Sequence, residues 1–174
     1  MRSEIKRFSA FAAETAALGA LAIAFTALEF VLPLSAAVPI PGFRLGLANV
    51  AIVFAVRRRG FFCGLAVTAI KVAAAALFGG TPMSFLFSLC GSVAAFLIMY
   101  LLSRLLGERV GCLGLSVAGA FLHNSAQLAV AAAFMGGAVF AYFPFLSVAA
   151  LVSGVLTGVV AETALRALER VKKI

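Results

Sequence analysis

The sequence predicts an all-α integral membrane bundle of six transmembrane helices with both termini on the cytoplasmic side. Three observations carry that prediction. Of 174 residues, 64% are hydrophobic and 11% charged, with a mean hydropathy of +1.17; a soluble domain is nearer 45–50% apolar and about 25% charged. The apolar residues fall into six runs parted by charges or Gly/Pro clusters. The basic residues gather in alternate gaps between those runs. A soluble globule has nowhere to bury so much apolar surface. Soluble enzymes, nucleic-acid binders and disordered tails are therefore excluded.

A spanning helix needs about 20 mostly apolar residues. The first run, Phe8 to Leu32, ends at Pro33. It follows the basic start MRSEIKR but outlasts the ~7–15-residue apolar core of a cleavable signal, so it reads as a retained span. The second, Pro41 to Val56, stops at Arg57-Arg58-Arg59. Pro41 suits a first helical turn, where its missing N–H is no loss. This run is short for a span. A re-entrant segment would put the three arginines outside and upset the charge balance, so a short true span is expected. The third, Phe61 to Phe78, stops at Gly79-Gly80-Thr81-Pro82. The fourth, Met83 to Leu102, precedes Ser103 to Arg109. The fifth, Val110 to Met135, ends at Gly136-Gly137, and the sixth, Pro144 to Leu165, leads into a basic tail. The gaps are short, so residues 1–174 form one domain.

Orientation follows from Lys and Arg. Twelve of the fourteen basic residues fall in the gaps that are cytoplasmic when the N-terminus is inside. Arg44 lies towards the other side, and Lys71 lies within the third run. That asymmetry is the positive-inside signal of a multi-pass protein of the cell (inner or plasma) membrane. It also explains the net charge of +8 without nucleic acid.

The composition excludes several chemistries. There is no Asp and there are six Asp plus Glu in all, so Asp-rich motifs for metal and diphosphate are absent. No GxxxxGK[ST] occurs, so the chain has no P-loop of its own. Cys63, Cys90 and Cys112 form no CxxC or Cys/His pair and read as small core residues. One histidine is too few for a metal centre. No cofactor and no metal are expected, and no enzymatic activity.

Polar side chains at membrane depth are costly and mark function or structural pairing. The candidates are Glu29 near the outer end of the first span, Arg44 and Asn49 in the outer part of the second, and Lys71 near the middle of the third. His123, Asn124 and Gln127 lie mid-way along the fifth. His123 and Gln127 are i and i+4 and share a helix face. Together these seven are expected to line one outward-opening ligand cavity. The structural alternatives are a Lys71–Glu29 pair or Lys71 bonded to backbone carbonyls, interhelical amide contacts by Asn124 and Gln127, and an Asn49 cap on an interrupted helix. Glu162 pairs naturally with Arg166 one turn on. Glu14 is open between a buried structural partner and a contact for another protein.

Ala12, Ala16, Ala20 and Ala24 stripe the first span at four-residue spacing, and Ala150, Gly154 and Gly158 do so on the sixth. Small stripes let helix backbones approach closely in lipid. The first stripe reads either as packing inside the bundle or as a docking face for another membrane subunit. Phe78, Phe85, Phe87, Phe140, Tyr142, Phe143 and Phe145 gather near the outer end. They read as an interfacial belt or as a lid with the Pro33–Phe43 loop.

Leu28-Glu29-Phe30, the stretch Pro39 to Val50, His123-Asn124-Ser125-Ala126-Gln127-Leu128, and Tyr142-Phe143-Pro144 leading to Gly154 resemble the Gx transporter family. That family is also called heptaprenyl diphosphate synthase component I. Its members are similar to the substrate-binding S subunits of energy-coupling factor (ECF) vitamin transporters. The resemblance implies six helices with both termini inside and a small nutrient bound from outside under the loop joining helices one and two. It also implies a transmembrane coupling subunit docked on the small-residue stripe, and ATP hydrolysis by separate subunits. The short second span departs from a standard S subunit. Two other functions stay open: a membrane accessory of polyprenyl diphosphate or quinone synthesis that holds a lipid diphosphate through Arg44 and Lys71, and a stand-alone ion-coupled carrier using Glu29 and His123.

Overall fold

A computed structural model of the chain describes residues 2–31 and 44–171. The Pro33–Phe43 loop and the Pro41 helix start expected from the sequence lie outside the described residues. Helix α1 is Arg2–Val31, α2 is Asn49–Arg59, α3 is Phe61–Gly79, α4 is Pro82–Leu106, α5 is Cys112–Met135 and α6 is Phe143–Val171. Short 3₁₀ turns, Gly107–Arg109 and Gly137–Tyr142, join α4 to α5 and α5 to α6. Local chemistry sets the joints. Gly60, at φ +78°, is the single residue between α2 and α3. Pro82 opens α4, and the Thr81 hydroxyl accepts the Ser84 amide at 3.2 Å, a side-chain cap on an otherwise orphan donor.

Five of the six helices, all but α2, are long and apolar enough to cross a membrane. The expectation of six spanning helices is corrected at α2. The run from Pro41 to Val56 does not form one helix: residues 44–48 are non-helical, and α2 is an 11-residue helix that starts at Asn49 and takes in all three arginines. At 1.5 Å per residue it is about 16 Å long, half of a ~30 Å hydrocarbon core. What makes so short a helix viable is its position. The long helices pack in the order α1, α3, α4, α5, α6, and α2 touches every one of them. Seven of its residues are buried. Irregular backbone at membrane depth survives when protein surrounds it, and that is the setting of residues 44–48.

One end of the bundle is knit by arginines. Arg58 and Arg59 both pair with Glu14 of α1. Arg57 donates to the Gly107 carbonyl at 2.9 Å and to Glu108 at 3.0 Å. Glu162 of α6 accepts the Cys112 amide at 3.3 Å and pairs with Arg166 at 3.1 Å. These contacts bring the start of α1, the end of α2, the end of α4, the start of α5 and the end of α6 to one end, so successive helices alternate in direction. Glu14 is thus a structural partner of the α2 arginines.

Small residues weld α5 to α6. Gly154 and Gly158 lie so close to α5 that a Cβ on them would stand 2.6 Å from Val117 Cα and 2.7 Å from Leu113 Cα. Ser116 and Thr157 hydroxyls meet at 2.5 Å across the same seam. The α1 stripe is different. Ala12, Ala16, Ala20 and Ala24 are all exposed, while Leu18, Gly19, Ala22 and Thr26 face inward. Internal packing is therefore not the reason for that stripe. Cys63 and Cys112 are buried and Cys90 half-buried, all three as free thiols. Phe78, Phe85, Phe140, Phe143 and Phe145 point outward, as a belt requires, whereas Phe87 is core beside Leu128.

Candidate functional site

The broken second span organises the site. Where α2 would have continued, residues 44–48 expose backbone amides that a helix would satisfy. Two side chains from other helices take them up. Glu29 Oε1 of α1 accepts the Leu47 amide at 2.5 Å. Gln127 Oε1 of α5 accepts the Arg44 amide at 3.3 Å. The first amides of α2 close back on local carbonyls, Asn49 to Gly46 at 2.9 Å and Val50 to Leu47 at 3.2 Å. The N-terminus of α2 thus contributes its dipole rather than free donors. Asn49 is the first helical residue, and no side chain caps the helix.

Lys71 reaches this break from the middle of α3. Its ammonium donates to Asn49 Oδ1 at 2.6 Å, and the Glu29 carboxylate acts on it through space, without direct contact. Lys71 is 2% exposed, Asn49 1%, His123 1%, Gln127 1%, Glu29 4% and Arg44 6%. Arg44 is held by three contacts. Its guanidinium donates to the Ser84 hydroxyl at 2.5 Å and the Ser84 carbonyl at 3.4 Å, and lies 4.2 Å over the Phe30 ring, a cation–π geometry.

His123 joins the two halves. Its Nε2 stands 2.9 Å from Gln127 Nε2. Because Gln127 uses its oxygen on Arg44, its amide nitrogen must donate, and the imidazole Nε2 must accept. A neutral His123 then carries its proton on Nδ1. A Cβ on Gly46 would stand 2.7 Å from Asn49 Nδ2 and 3.0 Å from His123 Cδ2. Gly46 also has φ +79°, a backbone region that side chains disfavour. Only glycine lets Asn49 and His123 close over this turn.

Of the seven residues predicted for the site, six meet: Glu29, Arg44, Asn49, Lys71, His123 and Gln127. Asn124 turns the other way. Its amide nitrogen donates to the Leu146 carbonyl of α6 at 3.2 Å, which makes it an α5–α6 tie. Ser84, Gly46 and Phe30 were missed, since none is ionisable and each looks like ordinary membrane composition.

The assembled cluster contains two cations and one carboxylate. Within the cluster, Asn49 Nδ2 has no hydrogen-bond partner among the described residues. An excess of positive charge together with an open amide donor suits an anion.

A family model described as heptaprenyl diphosphate synthase component I matches residues 18–164. The chain belongs to that family. The match runs from within α1 to near the end of α6 and takes in every residue of the cluster. No curated protein and no solved structure matches the chain. Its described residues form an apolar helical bundle with five helices fit to cross a membrane.

Proposed function

We propose that this chain is the substrate-binding membrane subunit of an ATP-driven importer, an S-subunit-like component that holds a small anion and relies on separate proteins for energy. Lys71 is the observation that carries the reading. An ammonium buried at mid-helix, held by an amide oxygen and touching no carboxylate among the described residues, is an incomplete arrangement. Removing a charge from water is expensive unless it is paired. A bound anion completes the pairing, with Arg44 adding to the field.

Two further features support transport. Binding sites of membrane carriers form where a spanning helix is interrupted, because the break frees backbone and side chains at depth. Residues 44–48 are such a break. The cluster also lies away from the arginine-rich end, which under the positive-inside rule is the cytoplasmic one. It would therefore load from outside. The exposed alanine stripe of α1 suits a transmembrane coupling subunit, which would in turn carry the ATPases.

A second reading rests on the family description, which favours it over the first. A component I of heptaprenyl diphosphate synthase would be a membrane accessory, partnered by a second component and presenting an isoprenoid diphosphate to it. Lys71 and Arg44 would then hold the diphosphate.

Purification from native membranes, with mass spectrometry of co-purifying proteins, separates the two. A coupling membrane protein with ATPases supports the importer. A prenyl-chain-elongating protein, with stimulation of prenyl transfer on adding this chain, replaces it with the accessory reading. Uptake by vesicles holding this chain alone overturns both.

A further inference from the structure

Helix α4 was not expected to contribute to the site, yet its inner face carries Ser84, Ser88 and Ser92 at four-residue spacing. Serine hydroxyls inside apolar helices ordinarily return to the carbonyl one turn back. Thr26, Thr68, Ser125, Ser147, Thr157 and Thr163 all do so here, at 2.7–2.8 Å. Ser88 and Ser92 do not. Both are buried, and neither hydroxyl has a partner among the described residues. Ser84 is already used by Arg44.

Their place on α4 is informative. Between them sits Gly91, against which the His123 ring lies so closely that a Cβ would stand 2.7 Å from both Cε1 and Nδ1. Nδ1 is the nitrogen that carries the proton in the neutral ring, and it is turned onto the α4 backbone at Gly91. A row of polar groups therefore runs along α4 from the Arg44–Ser84 contact past His123 to Ser92, about 12 Å at 1.5 Å per residue. Buried polar groups in folded proteins nearly always find partners, so two open hydroxyls beside a cationic cluster point to a polar ligand.

We infer that Ser88 and Ser92 are ligand-binding residues and that the bound molecule is an anion with a polar, heteroatom-bearing body, rather than an anionic head on a hydrocarbon chain. This rests on the reading of the cluster as a ligand site and narrows its substrate class. The acidic group of the molecule meets Lys71 and the open amide of Asn49. Its body meets the two hydroxyls. A prenyl chain offers such a lining nothing to bond and would leave each group stranded.

The test uses the detergent-purified full chain and two probes: a deproteinised aqueous extract of the source cells, and farnesyl diphosphate. Molecules retained after dialysis are released by heat and identified by mass spectrometry. The expected result is retention of one polar anion from the extract at close to one per chain, at least tenfold less retained by Ser88→Ala/Ser92→Ala, and no retention of farnesyl diphosphate. The double variant should melt no lower than the parent when both are empty, since it removes only unpartnered hydroxyls. Single variants give the same comparison if the double variant melts early. Equal retention by parent and variants overturns the serine assignment while leaving the cluster as a ligand site. Preferred retention of farnesyl diphosphate overturns the substrate class. Retention of nothing from either probe overturns both the inference and the site beneath it.

Discussion

At the residue scale, the Lys71–Asn49 contact is the most exacting feature of the molecule. Asn49→Leu removes the only acceptor that the described residues offer the buried Lys71 ammonium. Hydrogen bonds to charged groups contribute about 1.5–3 kcal/mol, and a loss of that size is expected in unfolding measurements in detergent. Lys71→Met on the same background removes the stranded charge and should restore most of the stability, because replacing both partners with apolar groups is near neutral. Anion retention should stay lost in both. A double variant no more stable than Asn49→Leu would mean that Lys71 is satisfied elsewhere. Gly46→Ala places a Cβ 2.7 Å from Asn49 Nδ2 on a backbone at φ +79°. Strain of this kind costs about 1–3 kcal/mol, read as a lowered melting point. The ionisable members of the cluster were legible in the sequence because charge at membrane depth is conspicuous. Ser88 and Ser92 were not, since serine on an apolar helix usually bonds its own backbone. Asn124 misled for a related reason: adjacency to His123 on the helix says nothing about which neighbour its amide meets, and α6 claims it.

Elements were legible where composition and conformation coincide. The four runs behind α3 to α6 became helices near their predicted bounds, with the basic segments after α4 and α6 continuing helical or in 3₁₀ turns. The second run failed because hydropathy records surroundings, not conformation. Residues 45–48 are enclosed by protein, so they are apolar, and the amides of Leu47 and Arg44 are met by Glu29 and Gln127, so the segment need not be helical. Small-residue stripes look alike in sequence yet differ in structure, and substitution should separate them. Ala16→Leu with Ala20→Leu falls on an exposed face. Stability should change by no more than about 0.5 kcal/mol, while association with the membrane partner, read by co-purification, should be lost. Gly154→Val falls on a seam where a Cβ would stand 2.6 Å from Val117 Cα. Overpacking there should cost at least about 1–3 kcal/mol, because backbone cannot give way as a side chain can. Were the two substitutions to reverse in effect, the α1 stripe would be core and the α6 stripe surface.

For the whole molecule, orientation decides which face the cluster loads from. The internal order is fixed by contacts: Glu14 with Arg58 and Arg59, Arg57 with Glu108, and Cys112 with Glu162 bring alternating helix ends together. What turns that order into a direction is charge. Translocating a segment that carries several arginines is disfavoured, so the end holding Arg57, Arg58, Arg59, Arg104 and Arg109 should remain in the cytoplasm. The 3₁₀ turn Gly137–Tyr142, which has no basic residue, should then face outward. Glu108 is almost fully exposed at the first end, and Ala138 is exposed at the second. In a chain with its three native cysteines replaced by alanine, Glu108→Cys should react with a membrane-impermeant maleimide only in inside-out vesicles. Ala138→Cys should react only in intact cells stripped of their wall. The opposite pattern would turn the site towards the cytosol. It would remove the case for import and favour delivery of a cytoplasmic anion to a partner on that side. Labelling of both positions from one side would break the alternation of helices itself, and with it the placement of α2 at the centre of the bundle.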